Sequence, residues 1–246
     1  MTKDGPHCSA ICHYANLICL PNQVKPDVIS LMPGYKRNQV EEAISRVLDP
    51  RSKIPTTELR TRLKRLLDTD RALGGVQRSN DRDLASYAFY SADAPGSGIE
   101  VWFSSYEAFA LLNGIRLMGH RWPQGFAVLV MRRIRHNLEL EHARILRQDP
   151  KELFDLDAIA RKAKPGDMAF DVTDPVLLTI VSRSGSTPDA ETEPWGCGVA
   201  RGPTEAMSVW KAAGGTGLVT IFELAAIAHK LEDALKRIEP IQRGRG

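Results

Sequence analysis

Residues 56–75 read TTELRTRLKRLLDTDRALGG, and the fold turns on what the two faces of this run meet. Leu59, Leu63, Leu66 and Leu67 recur at the three- and four-residue spacing that stacks side chains on one side of an α-helix. Thr56 or Thr57 suits the N-cap, because a hydroxyl accepts from the unpaired N–H groups of the first turn, and Gly74 with Gly75 stops the run. The spacing predicts a helix with a leucine stripe and five basic side chains: Arg60, Arg62, Lys64, Arg65 and Arg71. At about 100° per residue, Arg60, Lys64 and Arg71 fall close in angle, while Arg62 and Arg65 flank the other side of the stripe. Glu58, Asp68 and Asp70 are the acids placed to pair with them.

Working outward, Val40, Ala43, Ile44, Val47 and Leu48 predict an earlier helix, with Asn38 as its N-cap and Pro50 beyond its end. DPRSKIP holds two prolines and cannot be helical throughout, so two helices meet across a tight connector in the outline of a helix-turn-helix. Beyond residue 75, DLASYAFYS and GIEVWFSS are aromatic and β-branched runs around ADAPGSG, the pattern of a hairpin with a flexible tip. Ser104 and Glu107 stand in capping-box register and predict a helix from Ser105 to about Met118, ended by Gly119. A further helix begins at 122–124, with Phe126, Val130, Ile134 and Leu138 buried and Arg132, Arg133 and Arg135 off that face.

The last third changes character. KELFDLDAIARKA predicts a helix, and DMAFDV and PVLLTIVSR predict buried strands. GPTEAMSVWKAAGG predicts a short helix with Pro203 near its start, and GGTG a turn leading into a strand. Thr220 and Glu223 match a capping box opening a final helix through Leu235. The expected architecture is α+β and helix-rich. It has a loose arm over 1–34, a winged helix-turn-helix with helical extension over 35–150, and a small mixed α/β domain over 151–246.

The formal net charge is only +3 over 246 residues, but it is unevenly spread. Residues 36–150 hold 19 basic against 14 acidic side chains, and residues 151–246 hold 12 against 14, so the basic excess belongs to the first part. No apolar run approaches the roughly 18 residues a membrane span needs. Cys8, Cys12 and Cys19 crowd the arm and Cys197 stands alone, which is no disulfide framework, so a reduced, cytoplasmic chain is expected.

Catalytic and metal signatures are weak. His7, Cys8, Cys12, His13 and Cys19 lack the two separated pairs of a structural zinc site, and no metal or cofactor is expected. His136 and His142, six residues apart, do not share a helical face. GGTG lacks the lysine and spacing of a phosphate-binding loop. Cys197, between two glycines with His229 as the available base, is the one arrangement resembling a nucleophile, and a packed residue in a glycine-rich turn is its commoner meaning.

The order helix, helix, hairpin, helix resembles the winged-helix transcriptional regulators over about residues 35–146. The segment SSYEAFALLNGIRLMGHRWPQGFAVLVMRRIR is similar to the part of MerR-type regulators where an aromatic after the wing precedes a helix and a glycine-ended turn. The MerR signature Arg-Tyr-Tyr or Arg-Tyr-Trp at the end of the second helix has no counterpart in LRTRLKRLLD, so what is carried over is the winged-helix idea alone. That resemblance implies a non-enzymatic, bacterial-type regulator binding double-stranded DNA. Arg60, Arg62, Lys64 and Arg65 would face the groove, and Arg82 and Ser97 the flanking backbone. Thr56 and Thr57, with the N–H groups of the helix start, suit a backbone phosphate, and Arg71 extends the basic stripe. A homodimer is expected, with the helix through residues 122–146 as its interface and the C-terminal part dimerising or sensing a small-molecule or protein effector. The alternatives are a protein-interaction module anchored by Trp122, Trp195 and Trp210, and a cysteine-dependent enzyme centred on Cys197.

Overall fold

The structure, a computed structural model, describes residues 34–52, 54–74, 86–91, 101–163, 165–166, 170–182 and 196–239 of the chain. Apart from Gly34, the arm lies outside the described residues, and so do its histidines and cysteines. The described elements belong to one compact unit, Pro33–Gly246, of α+β class.

A short strand, β1 (Tyr35–Lys36), leads into α1 (Arg37–Leu48), and α2 follows at Thr57–Leu73. The N-cap of α1 is Lys36 rather than Asn38: the Gln39 side chain accepts from the Lys36 N–H at 3.0 Å, satisfying one of the donors a helix start leaves over. Thr56 caps α2 as its sequence requires, its hydroxyl accepting from the Leu59 N–H at 3.1 Å. After β2 (Trp102–Phe103) comes α3 (Ser105–Gly119), whose box is made in full by Ser104 and Glu107. The long α4 (Gln124–Ile145) buries Phe126, Val130, Ile134 and Leu138 as their spacing dictates. Gly114 lies where α3 meets α2: a Cβ there would stand 3.2 Å from Leu66 Cδ1 and from Phe89 Cζ.

The two runs expected to form a hairpin do not pair with each other among the described residues. Trp102–Phe103 pairs antiparallel with Tyr35–Lys36 instead. Residues 86–91 form bends whose N–H groups are claimed by buried carboxylates. Asp70 accepts from Ala88 and Phe89 at 3.1 and 3.0 Å, and Glu107 from Ser91 at 2.5 Å. A backbone donor committed to a carboxylate is lost to a strand ladder.

Past α4, the expected single helix is two short ones, α5 (Pro150–Leu153) and α6 (Leu156–Lys162), the second capped by Asp155. Of the expected strand DMAFDV, residues 167–169 lie outside the described residues and 170–172 are coil and bends. The nearly all-apolar run is β3 (Val176–Ser182), the centre of a three-stranded antiparallel sheet between β4 (Gly196–Arg201) and β5 (Leu218–Glu223). Val176, Leu178 and Ile180 face the main core, whereas Leu177 with Ala200 faces α7 (Gly202–Ala212). Gly196 and Gly198 let α7 lie close to β4, since a Cβ at Gly198 would stand 3.3 Å from Val209 Cγ2.

The predicted capping box at Thr220 falls in β5, and the final helix, α8 (Ala225–Arg237), starts later. Glu223 still caps it, accepting from Ala225 and Ala226 at 2.6 and 3.0 Å. The division expected at residue 150 is bridged, because α8 packs on α1 and their ends are tied by Gln39 Nε2 donating to the Ile238 carbonyl at 2.7 Å. Among the described residues no helix is long and apolar enough to cross a membrane.

Candidate nucleic-acid interface

The inward face of α2 is Leu63, Leu66, Leu67 and Asp70. Asp70 lies seven residues, two turns, from Leu63 and so joins the leucine stripe instead of pairing with a surface base as expected. It is fully buried, and its partner is Arg132 of α4, 2% exposed, with Nε 2.7 Å from Asp70 Oδ1. Arg132 also donates to the carbonyls of Asp70 and Leu73, at 2.5 and 3.4 Å, satisfying acceptors that the helix end leaves open. The prediction that Arg132 sits off the buried face is therefore corrected.

This inward turn of Asp70 changes the charge of the outer face. Five bases on α2 are left against only Glu58 and Asp68. Arg62 pairs with Glu58 at 2.5 Å and Arg71 with Asp68 at 3.3 Å, both in partly solvated positions where an ion pair contributes little and is readily exchanged. Arg60 reaches across to Glu41 of α1 at 3.6 Å. The side chains of Lys64 and Arg65 are exposed and make no ion pair or hydrogen bond among the described residues. Thr56 and Thr57 are exposed at the helix start, with the Thr56 hydroxyl already used as the cap. The helix is held rigidly from behind: Gln124 at the start of α4 donates to the Arg65 carbonyl at 3.1 Å and to the Thr69 hydroxyl. Arg82 and Ser97 lie outside the described residues.

At the far end of α2 the Arg71 guanidinium stands 6.0 Å from the Tyr90 ring centroid, with Nη2 3.4 Å from the hydroxyl. Burial pushes the Tyr90 phenol up to about 12 although Arg71 and Arg37 pull it down, so it stays protonated at neutral pH. Tyr90 in turn stacks near Phe103 of β2, at 6.3 Å between centroids. Residues 87 and 90 are fixed from the other side by Arg135, whose guanidinium donates to the Tyr90 carbonyl at 2.8 Å and to that of Tyr87.

Three residues on this surface escaped the sequence reading: Lys36, Arg37 and Trp102. Register pairs Lys36 with Trp102 and Tyr35 with Phe103, so one cross-strand pair points outward and the other inward. The 65 residues between the two strands hid their pairing.

The remaining candidates are dispersed. Cys197 is half-buried in β4, opposite Ile180, and not in an exposed turn. His229 Nε2 lies 3.1 Å from the Ile145 carbonyl oxygen. Trp122 is buried and stacked on Phe126 at 4.5 Å, which removes one anchor of the protein-interaction reading. The apolar side of α4, the helix expected to serve as a dimer element, packs in the core of its own chain. No group of three or more metal-ligating side chains with the geometry to hold a metal ion occurs among the described residues. Comparison of the chain with family models, with curated proteins and with solved structures gives no match.

Proposed function

We propose that the chain is a non-enzymatic, sequence-specific double-stranded DNA-binding protein, a transcriptional regulator of winged-helix kind, with α2 as the helix that meets the duplex. The observation that carries this reading is the imbalance of α2's outer face, where turning Asp70 inward leaves five bases against two acids. A helix fits the major groove, and guanidinium groups make bidentate contacts both to phosphate and to guanine edges. Arg60, Lys64 and Arg71 supply one side of the contact, Arg65 and Arg62 the other, and Thr57 at the helix start stands where a phosphate is held by free N–H groups. The order β1, α1, α2, β2, with the strands paired around the helix pair, supports the winged-helix reading. A homodimer is the expected form, since operators are two-fold related. The test is fluorescence anisotropy with labelled mixed-sequence duplex: Arg60→Ala/Lys64→Ala should bind at least tenfold more weakly than the parent, a loss of about 1.4 kcal/mol. Equal affinity, with the variant folded, would refute the assignment of α2.

A further inference from the structure

The ribbon β1–β2 carries a surface that the α2 contact does not use. Trp102 is 51% exposed, a large apolar ring left to solvent at a position where register points it outward beside Lys36. The Lys36 Nζ stands 5.1 Å from its ring centroid, so the ring face is occupied by a cation while its edge is open. The indole N–H, a donor that can do nothing else, has no partner among the described residues. Gly34 accommodates this placement, because a Cβ there would stand 3.1 Å from Trp102 Cβ.

That surface runs without a break into the basic stripe of α2. Glu41 is shared: Arg37, next to Lys36, holds one carboxylate oxygen at 2.8 Å, and Arg60 of α2 holds the other at 3.6 Å. Lys36, Arg37, Arg60, Lys64 and Arg71 thus form one cationic strip, in which Glu41 is shared by Arg37 and Arg60 and Asp68 pairs with Arg71 at the far edge.

We infer that the β1–β2 ribbon is a second duplex contact. Lys36 and Arg37 take backbone phosphates, and Trp102 lays its edge against the same strand with its indole N–H donating to a phosphate oxygen. Phosphate chemistry fits the strip because it is anionic at every step along the backbone and offers acceptors alone. This inference rests on α2 being the duplex-facing helix.

The experiment compares the full-length parent, Trp102→Ala, Lys36→Ala and Arg60→Ala/Lys64→Ala for binding to one labelled mixed-sequence duplex across a salt series, with thermal melts of each. Two different signatures are expected from the ribbon. Lys36→Ala should lower the slope of log affinity against log salt by about one contact. Trp102→Ala should weaken binding about threefold to tenfold with the slope unchanged, since the ring carries no charge. If Trp102→Ala melts early, Lys36→Ala, which keeps its backbone N–H bond to Gln39, carries the test alone. Parent-like affinity and slope in both ribbon variants, while Arg60→Ala/Lys64→Ala is weakened, would overturn the ribbon contact and leave α2 standing. A parent without salt-dependent affinity would overturn both.

Discussion

Replacing Arg132 by methionine keeps most of the side-chain length but removes the cation paired with a fully buried carboxylate. Asp70 would retain the Ala88 and Phe89 N–H groups and lose the Nε donor at 2.7 Å. Breaking a buried pair from one side typically costs about 3–5 kcal/mol, because the remaining charge has left water without compensation. The carbonyls of Asp70 and Leu73 lose their donor as well, which places Arg132→Met toward the upper part of that range. For a unit of this size the melting temperature falls by roughly 2–4 °C per kcal/mol, so a drop of about 8–20 °C is expected. Thermal melts followed by circular dichroism measure that drop, and urea unfolding the free-energy loss, with the midpoint moving and the slope held. The double variant Asp70→Asn/Arg132→Met discards the orphaned charge and should be more stable than Arg132→Met alone. A loss under about 1 kcal/mol for Arg132→Met, or a double variant showing simple additivity of the singles, would refute the account of this pair.

Two further outcomes follow from buried polar groups. His142 stacks on Phe109 at 4.6 Å, and burial chiefly holds its imidazole down to about 4 from 6.5, with Glu232 working against that. A base whose folded value is depressed contributes stability that is intact above about pH 6.5 and is lost as pH falls toward 4. The loss is about 3 kcal/mol in all, and His142→Leu should flatten that acid limb in a pH series of urea midpoints. Thr179, fully buried at the centre of β3, has a hydroxyl with no hydrogen-bond partner among the described residues. Thr179→Val, of the same shape, should leave thermal stability unchanged or raised, and a loss above about 1 kcal/mol would mean the hydroxyl is bonded after all.

How far the sequence could be read depended on the range of each interaction. The Thr56 cap, the Ser104–Glu107 box and the apolar run of β3 are local, written within a few residues, and each formed where its spacing placed it. The hairpin was misread because Ala88, Phe89 and Ser91 had the composition of a strand while their donors went to Asp70 and Glu107, carboxylates 16 to 19 residues away. Thr220 and Glu223 matched a capping box by spacing, yet β3 takes β5 as its second neighbour, and tertiary pairing overrode the local signal. For the candidate interface, the basic stripe of α2 was legible from angle alone. Its net charge was not, because the pairing of Asp70 with Arg132 spans 62 residues.

Contact between the outer face of α2 and phosphate can be measured at Lys64 and Arg65, whose side chains make no ion pair or hydrogen bond among the described residues. Affinity for mixed-sequence duplex would be measured by anisotropy from low to physiological salt in the parent and in Lys64→Ala/Arg65→Ala. A steep fall of log affinity with log salt is expected in the parent, with a slope shallower by about two contacts in the variant. Identical slopes, or no binding at low salt, would contradict it and reduce the five bases to a solvated coat on a core helix.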